Sequence, residues 1–323
     1  MNRHHSLSWA LWGSTAYEII ITIHRIAIFS LLDKQAYGFL VTLLSIIHLG
    51  IHIADFGASN SSAPLLHHFT KSRQHFTTML WRYSLLPHLP LVFITTGTLL
   101  WYTTATSKTL GWGQVPWTVG ALIIVETIEA FMRQFLYAIG YVRETVIIET
   151  TELIARLCMI WILFFGCKFS ITPELILYSH LIEASSICIL FIFCLRNFYK
   201  TLPERGDTAD LSDSSWRFGK LKLSNYMVRL SRNIFTTNFL TPLFAVQFGL
   251  KTAGIFYFAS KLTKIALAAV KITIGYTGSG LLAQAKYASH EVKKSIFALL
   301  SNKLTSMCVP MVLLFIPACL LEC

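Results

Sequence analysis

Charge is what this chain has least of. Lys, Arg, Asp and Glu together make up 13% of its 323 residues, against 54% hydrophobic. With a mean hydropathy of +0.58, that balance excludes an ordinary water-soluble domain. Also missing is any CxxC pair. The seven cysteines (Cys158, Cys167, Cys188, Cys194, Cys308, Cys319, Cys323) stand singly in or beside apolar segments. They read as small buried hydrophobes, not as a zinc site or a disulfide framework. No DDxxD-type diphosphate–Mg²⁺ cluster is present, which argues against a prenyl- or phosphosugar-transferase, and Asp207, Asp210 and Asp213 are too loosely spaced for a metal. Asp55-Phe56-Gly57 has no Gly-rich nucleotide loop to make it a kinase tripeptide, and His67-His68 has no acidic partner beside it. We therefore expect no enzyme, no catalytic residue, no metal and no cofactor. A long Pro/Ser linker is absent too. The first apolar run, from about Trp9 to Leu32, is too long for a cleavable signal and carries Glu18 and Arg25.

What is present is a series of apolar runs about 20 residues long, the mark of an all-α polytopic membrane protein. We read about nine spans: 11–32, 36–56, 79–102, 115–141, 145–167, 173–195, 223–249, 252–283 and 296–321. The polar stretch 199–222 divides an N-terminal six-helix lobe (1–198) from a partial second lobe of three helices (223–323). A formal net charge of +11 would point to nucleic acid in a soluble domain. Here the basic residues collect in loops, so no nucleic-acid partner is expected. Fourteen of them fall on the side of the N-terminus, against four (Lys34, Lys108, Lys168, Lys251) on the other. That bias predicts a cytoplasmic N-terminus, with the 67–77 and 199–222 loops on the same side.

The segment from Phe248 to Leu282 is apolar enough for lipid, yet contains Lys261, Lys264 and Lys271. At 100° per residue, Lys264 and Lys271 lie about 60° and about 80° from Lys261, so the three share one helix face. An ammonium at the bilayer centre costs about 3 kcal/mol, so such a stripe faces water or a partner. Two further spans have polar faces: Ser14, Glu18, Thr22 and Arg25 in the first, and Asn225, Arg229, Arg232, Asn233 and Thr236 in the seventh. In the fourth and fifth, Glu126, Glu129 and Arg133 share one face and Glu149, Glu152 and Arg156 another. A hairpin centred on Tyr141–Arg143 sets Arg133 opposite Glu152 and Glu129 opposite Arg156, two structural ion pairs bracing the lobe. Glu126 and Glu183 have no mate in this scheme and, with Glu18, are candidate protonatable coupling sites.

A weak internal repeat is also present. LLDKQAYGFLVTLLSIIHLGIHIADFGASNSSAPL, from Leu31, matches FGLKTAGIFYFASKLTKIALAAVKITIGYTGSGLL, from Phe248, in its polar turn, aromatic/Gly start, apolar run and small-residue end. A parallel repeat is one of the plans of secondary transporters. TAGIFYFASKL resembles the opening of the second half in the polysaccharide-exporter, or O-antigen flippase-like, family. DKQAYGF and IADFGASNSS look like that family's first-hairpin motifs. The family belongs to the multidrug/oligosaccharidyl-lipid/polysaccharide transporter superfamily.

The resemblance implies two lobes meeting in a V around a central cavity, and alternating-access flipping of a polyprenyl-diphosphate-linked oligosaccharide across the cytoplasmic membrane. The partners it implies are membrane lipids, the lipid-linked glycan, and a polysaccharide polymerase or a chain supplying missing helices. The family usually has twelve to fourteen helices, so the chain is expected to be a fragment or split gene product, or to have an abbreviated second lobe. An anionic diphosphate headgroup suits Arg25, Arg229, Arg232, Asn233, Lys261, Lys264 and Lys271. The competing readings are a cation-coupled multidrug exporter of the same superfamily, which would want unpaired carboxylates in the cavity, a membrane glycosyl- or acyltransferase, and a non-transporting assembly subunit.

Overall fold

The structure, a computed structural model, describes residues 3–57, 72–78, 89–110, 115–204, 220–221, 223–228, 236–272, 294 and 298, the side chains at 3–15, 18, 102–110, 115, and 262–272 excepted. Among these residues every regular element is an α-helix: α1 (Arg3–Leu31), α2 (Lys34–Asp55), α3 (Arg73–Thr78), α4 (Leu89–Leu110), α5 (Val115–Ile139), α6 (Val142–Phe165), α7 (Pro173–Thr201), α8 (Thr237–Phe248) and α9 (Leu250–Ile272). Two of them, α2 and α7, are long and apolar enough to cross a membrane.

The hub is α2. The Asp33 side chain caps it, accepting from the backbone N–H groups of Gln35 (2.8 Å) and Ala36 (2.9 Å). Phe56 (φ 43°) and Gly57 (φ 77°) close it in the left-handed region. From Tyr37 to Leu43 every residue is buried, as expected of a helix apolar on all sides. Its most extensive packing is against α9, followed by α8, α5 and α4. The two helices of the sequence repeat thus lie side by side. Their starts adjoin, because a Cβ on Gly254 would stand 3.0 Å from the Gly38 Cα and 3.3 Å from the Lys34 carbonyl oxygen. Phe29 of α1 stacks on Phe258 of α9 (4.0 Å, 6°) and meets Tyr37 edge-on (5.0 Å, 84°). Contacts between α1 and α2 are few, since α9 packs against both.

The turn between α5 and α6 is a Schellman motif. Tyr141 N–H donates to the Leu136 carbonyl (2.9 Å) and Gly140 N–H to that of Tyr137 (3.2 Å), with Gly140 at φ 94°. Its centre lies at Gly140–Tyr141, earlier than the expected Tyr141–Arg143. The expected antiparallel hairpin is also splayed. Few contacts join α5 to α6, while α7 packs along both. Thr172 caps α7, accepting from Leu175 N–H (3.3 Å), and Pro173 opens its first turn.

The seventh expected span, 223–249, is interrupted. Residues 223–228 are helical, but Thr236 is extended (φ −89°, ψ 159°) and α8 begins at Thr237. At 12 residues, α8 is about 18 Å long, well short of a bilayer's hydrocarbon core. The third span continues past its expected end, to Leu110, while 79–88 fall outside the described residues. The ninth, and 273–283 of the eighth, fall outside the described residues. At one end of the bundle α3 is tied to the end of α7: Arg73 N–H donates to the Pro203 carbonyl (2.8 Å) and its guanidinium pairs with Glu204 (3.0 Å). Parts of the 67–77 and 199–222 loops therefore share one end.

Two apolar clusters sit toward opposite ends. One gathers Leu43, Ile47, Leu122, Ile123 and Leu177; the other gathers Phe76, Phe135, Phe191 and Leu195. Many large apolar side chains outside them face outward, among them Ile182, Ile189, Ile192 and Phe193 of α7, all more than half exposed, while Glu183 on the same helix is 5% exposed. Gly97 of α4 has nothing within 4 Å of where a Cβ would stand. Gly97→Ala is therefore expected to stabilise the fold by about 0.5–1 kcal/mol, measured as a raised unfolding midpoint.

Candidate functional site

Between the two apolar clusters runs a layer of charge. On α5 it occupies Glu126 to Arg133, after Ile123 and around Phe131; on α7 it occupies His180 and Glu183, between Leu177 and Ile187. Glu126 stands about 16 Å from the first residue of α5 and about 20 Å from the last. These side chains line a cavity of about 340 Å³ bounded by α1, α2, α5, α6, α7 and α9.

Two ionic chains cross it. In the first, the His180 Nε2–H donates to Glu126 (2.8 Å), joining α7 to α5. On its other side His180 Nδ1 meets both Glu183 (3.1 Å) and the Arg156 guanidinium, and Arg156 of α6 is ion-paired with Glu183. Neutral imidazole accepts at Nδ1 from Arg156; imidazolium donates there to Glu183. One added proton therefore exchanges one hydrogen bond for another within a cluster of four side chains linking three helices. In the second chain, Arg133 pairs with Glu129 one turn earlier on α5 and with Glu149 of α6. Side chains of Glu129, Arg156 and Glu183 are 7% exposed or less, so these charges are matched inside the bundle, as burial requires.

The α1, α2 and α9 wall differs. It brings His24 and Arg25, His48, and Tyr257 to the cavity. His48 Nδ1–H donates to the Leu44 carbonyl (2.6 Å), which turns Nε2 into its remaining acceptor. Lys261 Nζ lies 5.0 Å from the centroid of the Tyr257 ring, within cation–π range.

Of the expected headgroup residues, Arg25 lines the cavity and Lys261 stands over a ring that does. Lys264 and Lys271 lie on α9, but their side chains are outside the described residues, as is the side chain of Glu18 on α1. Arg229, Arg232 and Asn233 are outside the described residues altogether. Glu126 and Glu183, for which no mate was expected, have His180 and Arg156. The expected cross-pairs are not the ones found. Arg133 turns to Glu149 instead of Glu152, and Arg156 turns to Glu183 instead of Glu129. The physical reason is the turn. Centred on Gly140–Tyr141, it sets Arg133 within one residue of Glu149's level and about one helical turn before Glu152. The splay then takes Arg156 away from α5 and onto α7. Arg133→Ala is accordingly expected to lower the unfolding midpoint, with partial rescue by Glu149→Gln and none by Glu152→Gln.

The histidines were missed. His24, His48 and His180 all lie in apolar helices, and His180-x-x-Glu183 places an imidazole and a carboxylate on one face. That i,i+3 spacing inside an apolar run was the available signal. Set against family models, curated proteins and solved structures, the chain matches none of them.

Proposed function

We propose that the chain is a polytopic membrane transporter that flips a polyprenyl-diphosphate-linked oligosaccharide across the cytoplasmic membrane by alternating access, with its N-terminus inside. The observation that carries this reading is the inverted partition of side chains: charge is buried at mid-bundle and large apolar residues face outward. A water-soluble fold gains nothing from that arrangement, whereas a bundle in lipid must have it. A cavity with polar walls at that depth supplies a path for a headgroup that lipid would reject. Arg25, with Lys261 near Tyr257, offers diphosphate oxygens cationic partners. The neighbouring α2 and α9, related by sequence repeat, are the elements whose relative movement would alternate access. Proton binding at the Glu126–His180–Glu183 triad would couple that movement to a gradient.

The cavity's carboxylates favour a second reading, a cation-coupled drug exporter. Glu126, Glu129, Glu149 and Glu183 line it, as does Asp55. The four glutamates are each matched by Arg or His, however, and a cationic drug would need carboxylates without such partners. The anionic-headgroup reading therefore stands first. Its test is a binding titration of the purified chain with a C55 polyprenyl-diphosphate oligosaccharide. Arg25→Ala is expected to weaken binding by about 10- to 100-fold, the loss of one or two charge-assisted hydrogen bonds, with an unchanged unfolding midpoint. Equal affinity in both proteins would refute the headgroup role. A higher affinity for lipophilic cations would favour the exporter.

A further inference from the structure

The α2 residues that line the cavity form a stripe from Tyr37 to Asp55, and its character changes along the way. The first half is apolar: Leu40, Val41 and Leu44, in company with Ile28 of α1 and Ile176 of α7. Tyr37 closes that end, meeting Phe29 and Phe258 edge-on at 5.0 and 6.4 Å. The second half holds His48, His52 and Asp55. At 100° per residue these three lie within about 60° of one another, spread over about 10 Å of helix axis. Asp55 is 2% exposed and is the last residue of α2. A carboxylate at that position opposes the helix macrodipole, so the helix itself gains nothing from it.

The polar half of the stripe sits at the depth of the ionic chain built on His180. With the single span α4 between them, α2 and α5 run in the same direction. A Cβ on Gly50 would stand 2.9 Å from Ile123 Cδ1. Glu126, three residues beyond Ile123, is therefore close to the level of His52, two beyond Gly50. His48 feels the charge of both Glu126 and His180. Around the same cavity α5 presents Glu126, Glu129 and Arg133, and α7 presents His180 and Glu183. From α1 come Tyr17, His24 and Arg25, and from α9 Tyr257, with Lys261 over its ring. Carboxylates thus face the stripe from α5 and α7, where a proton leaving it would be received. Chains of His, Asp and Glu inside a membrane bundle are the usual material of proton relays.

We infer that His48, His52 and Asp55 form the path by which protons pass between the Glu126–His180 pair and the water at the end of the bundle where α2 finishes. Each step moves one proton and leaves its donor ready for the next. Imidazolium at His180 gives its Nε2 proton to Glu126, and the Glu126 carboxyl passes it through cavity water to His48 Nε2. It leaves by that same nitrogen, because the His48 Nδ1–H stays on the Leu44 carbonyl. His52 then hands it to the Asp55 carboxylate, and Asp55 to water. A polar cavity of about 340 Å³ has room for the bridging waters. The apolar half of the stripe offers a proton nothing to ride on, so exchange runs toward Asp55 and not toward Tyr37. This rests on the transporter reading and adds the side from which the coupling proton comes.

The first test is hydroxyl-radical footprinting of the unaltered full chain in phosphatidylcholine nanodiscs, read by mass spectrometry. Each residue's oxidation is compared with that of the same residue in the chain unfolded in urea. His48 and His52 are expected to be oxidised and Leu40 and Val41 protected, all on one helix face. Protection of His52 equal to that of Leu40, or oxidation as strong at Leu40 and Val41, would overturn the path. The second test follows C55 polyprenyl-diphosphate oligosaccharide flipping in proteoliposomes with and without a proton gradient. His52→Gln and Asp55→Asn should lose the acceleration that the gradient gives the parent, and Asp55→Glu should keep it. Acceleration that survives both neutral variants would overturn the path. Should those variants fail to fold, the footprint of the unaltered chain decides. A parent that moves no glycan would refute the flippase reading, while the footprint would still uphold or overturn the path.

Discussion

Arg156→Leu is expected to destabilise the protein by about 3–5 kcal/mol, the cost of leaving a buried carboxylate without its cation. Both side chains of the Arg156–Glu183 pair are 7% exposed or less, and His180 alone would remain to face Glu183 and Glu126 together. Adding Glu183→Gln removes the stranded charge, so the double variant should recover more than half of the loss. The measurement is denaturant or thermal unfolding followed by tryptophan fluorescence in detergent. Glu152→Gln serves as the contrast: Glu152 takes part in no ion pair among the described residues, and its replacement should fall within about 0.5 kcal/mol of the parent. A large effect at Glu152 together with a small one at Arg156 would restore the cross-paired hairpin and contradict the splayed arrangement.

The second large effect belongs to the joint between α2 and α9. A Cβ at Gly38 would stand 1.8 Å from the Leu250 carbonyl oxygen and 2.5 Å from its carbon. Both are backbone atoms, so no side-chain rotation relieves the overlap and the helices must separate. Gly254 is less crowded, its nearest contact being 3.0 Å. Gly38→Ala should therefore cost more than Gly254→Ala, and Gly38→Val more again, at or above the upper end of the 1–3 kcal/mol typical of overpacking. Close approach of small residues drives helix association in lipid, so the same variants should loosen the bundle. The readouts are the unfolding midpoint and the rate of cross-linking between single cysteines on α2 and α9. An indifferent Gly38→Val would mean that the two starts do not adjoin.

Much of this was legible in the sequence, and the failures share a cause. Apolar run length located α2, α5, α6 and α7 because helices with apolar side chains on both their inner and outer faces show themselves as continuous hydrophobicity. The repeat identified α2 and α9 as related helices, but nothing in a linear pattern said that they would lie against each other, or that α9 would pack against both members of the α1–α2 pair. Charge facing told which side of α5 and α6 is polar. It could not tell which partner each charge takes, because that depends on where Gly140 ends the helix and on α7 packing along both. Thr236 broke the seventh span at a residue with no propensity strong enough to announce it. His180 went unread because a single histidine in an apolar helix carries no period; only its spacing to Glu183 does. The cavity's acidic side was therefore underestimated, and the three lysines of α9 were given the leading part.

The central claim is that this bundle moves a lipid-linked glycan. Its most direct measurement is a flipping assay in proteoliposomes loaded with a fluorescent C55 polyprenyl-diphosphate oligosaccharide, quenched from outside by a membrane-impermeant reductant. The account predicts a fast second phase of quenching with the full chain, accelerated by a proton gradient, abolished by Arg25→Ala and retained by Glu152→Gln. Quenching that stops at the outer leaflet, as in protein-free vesicles, or that proceeds equally in the Arg25 variant, would contradict it.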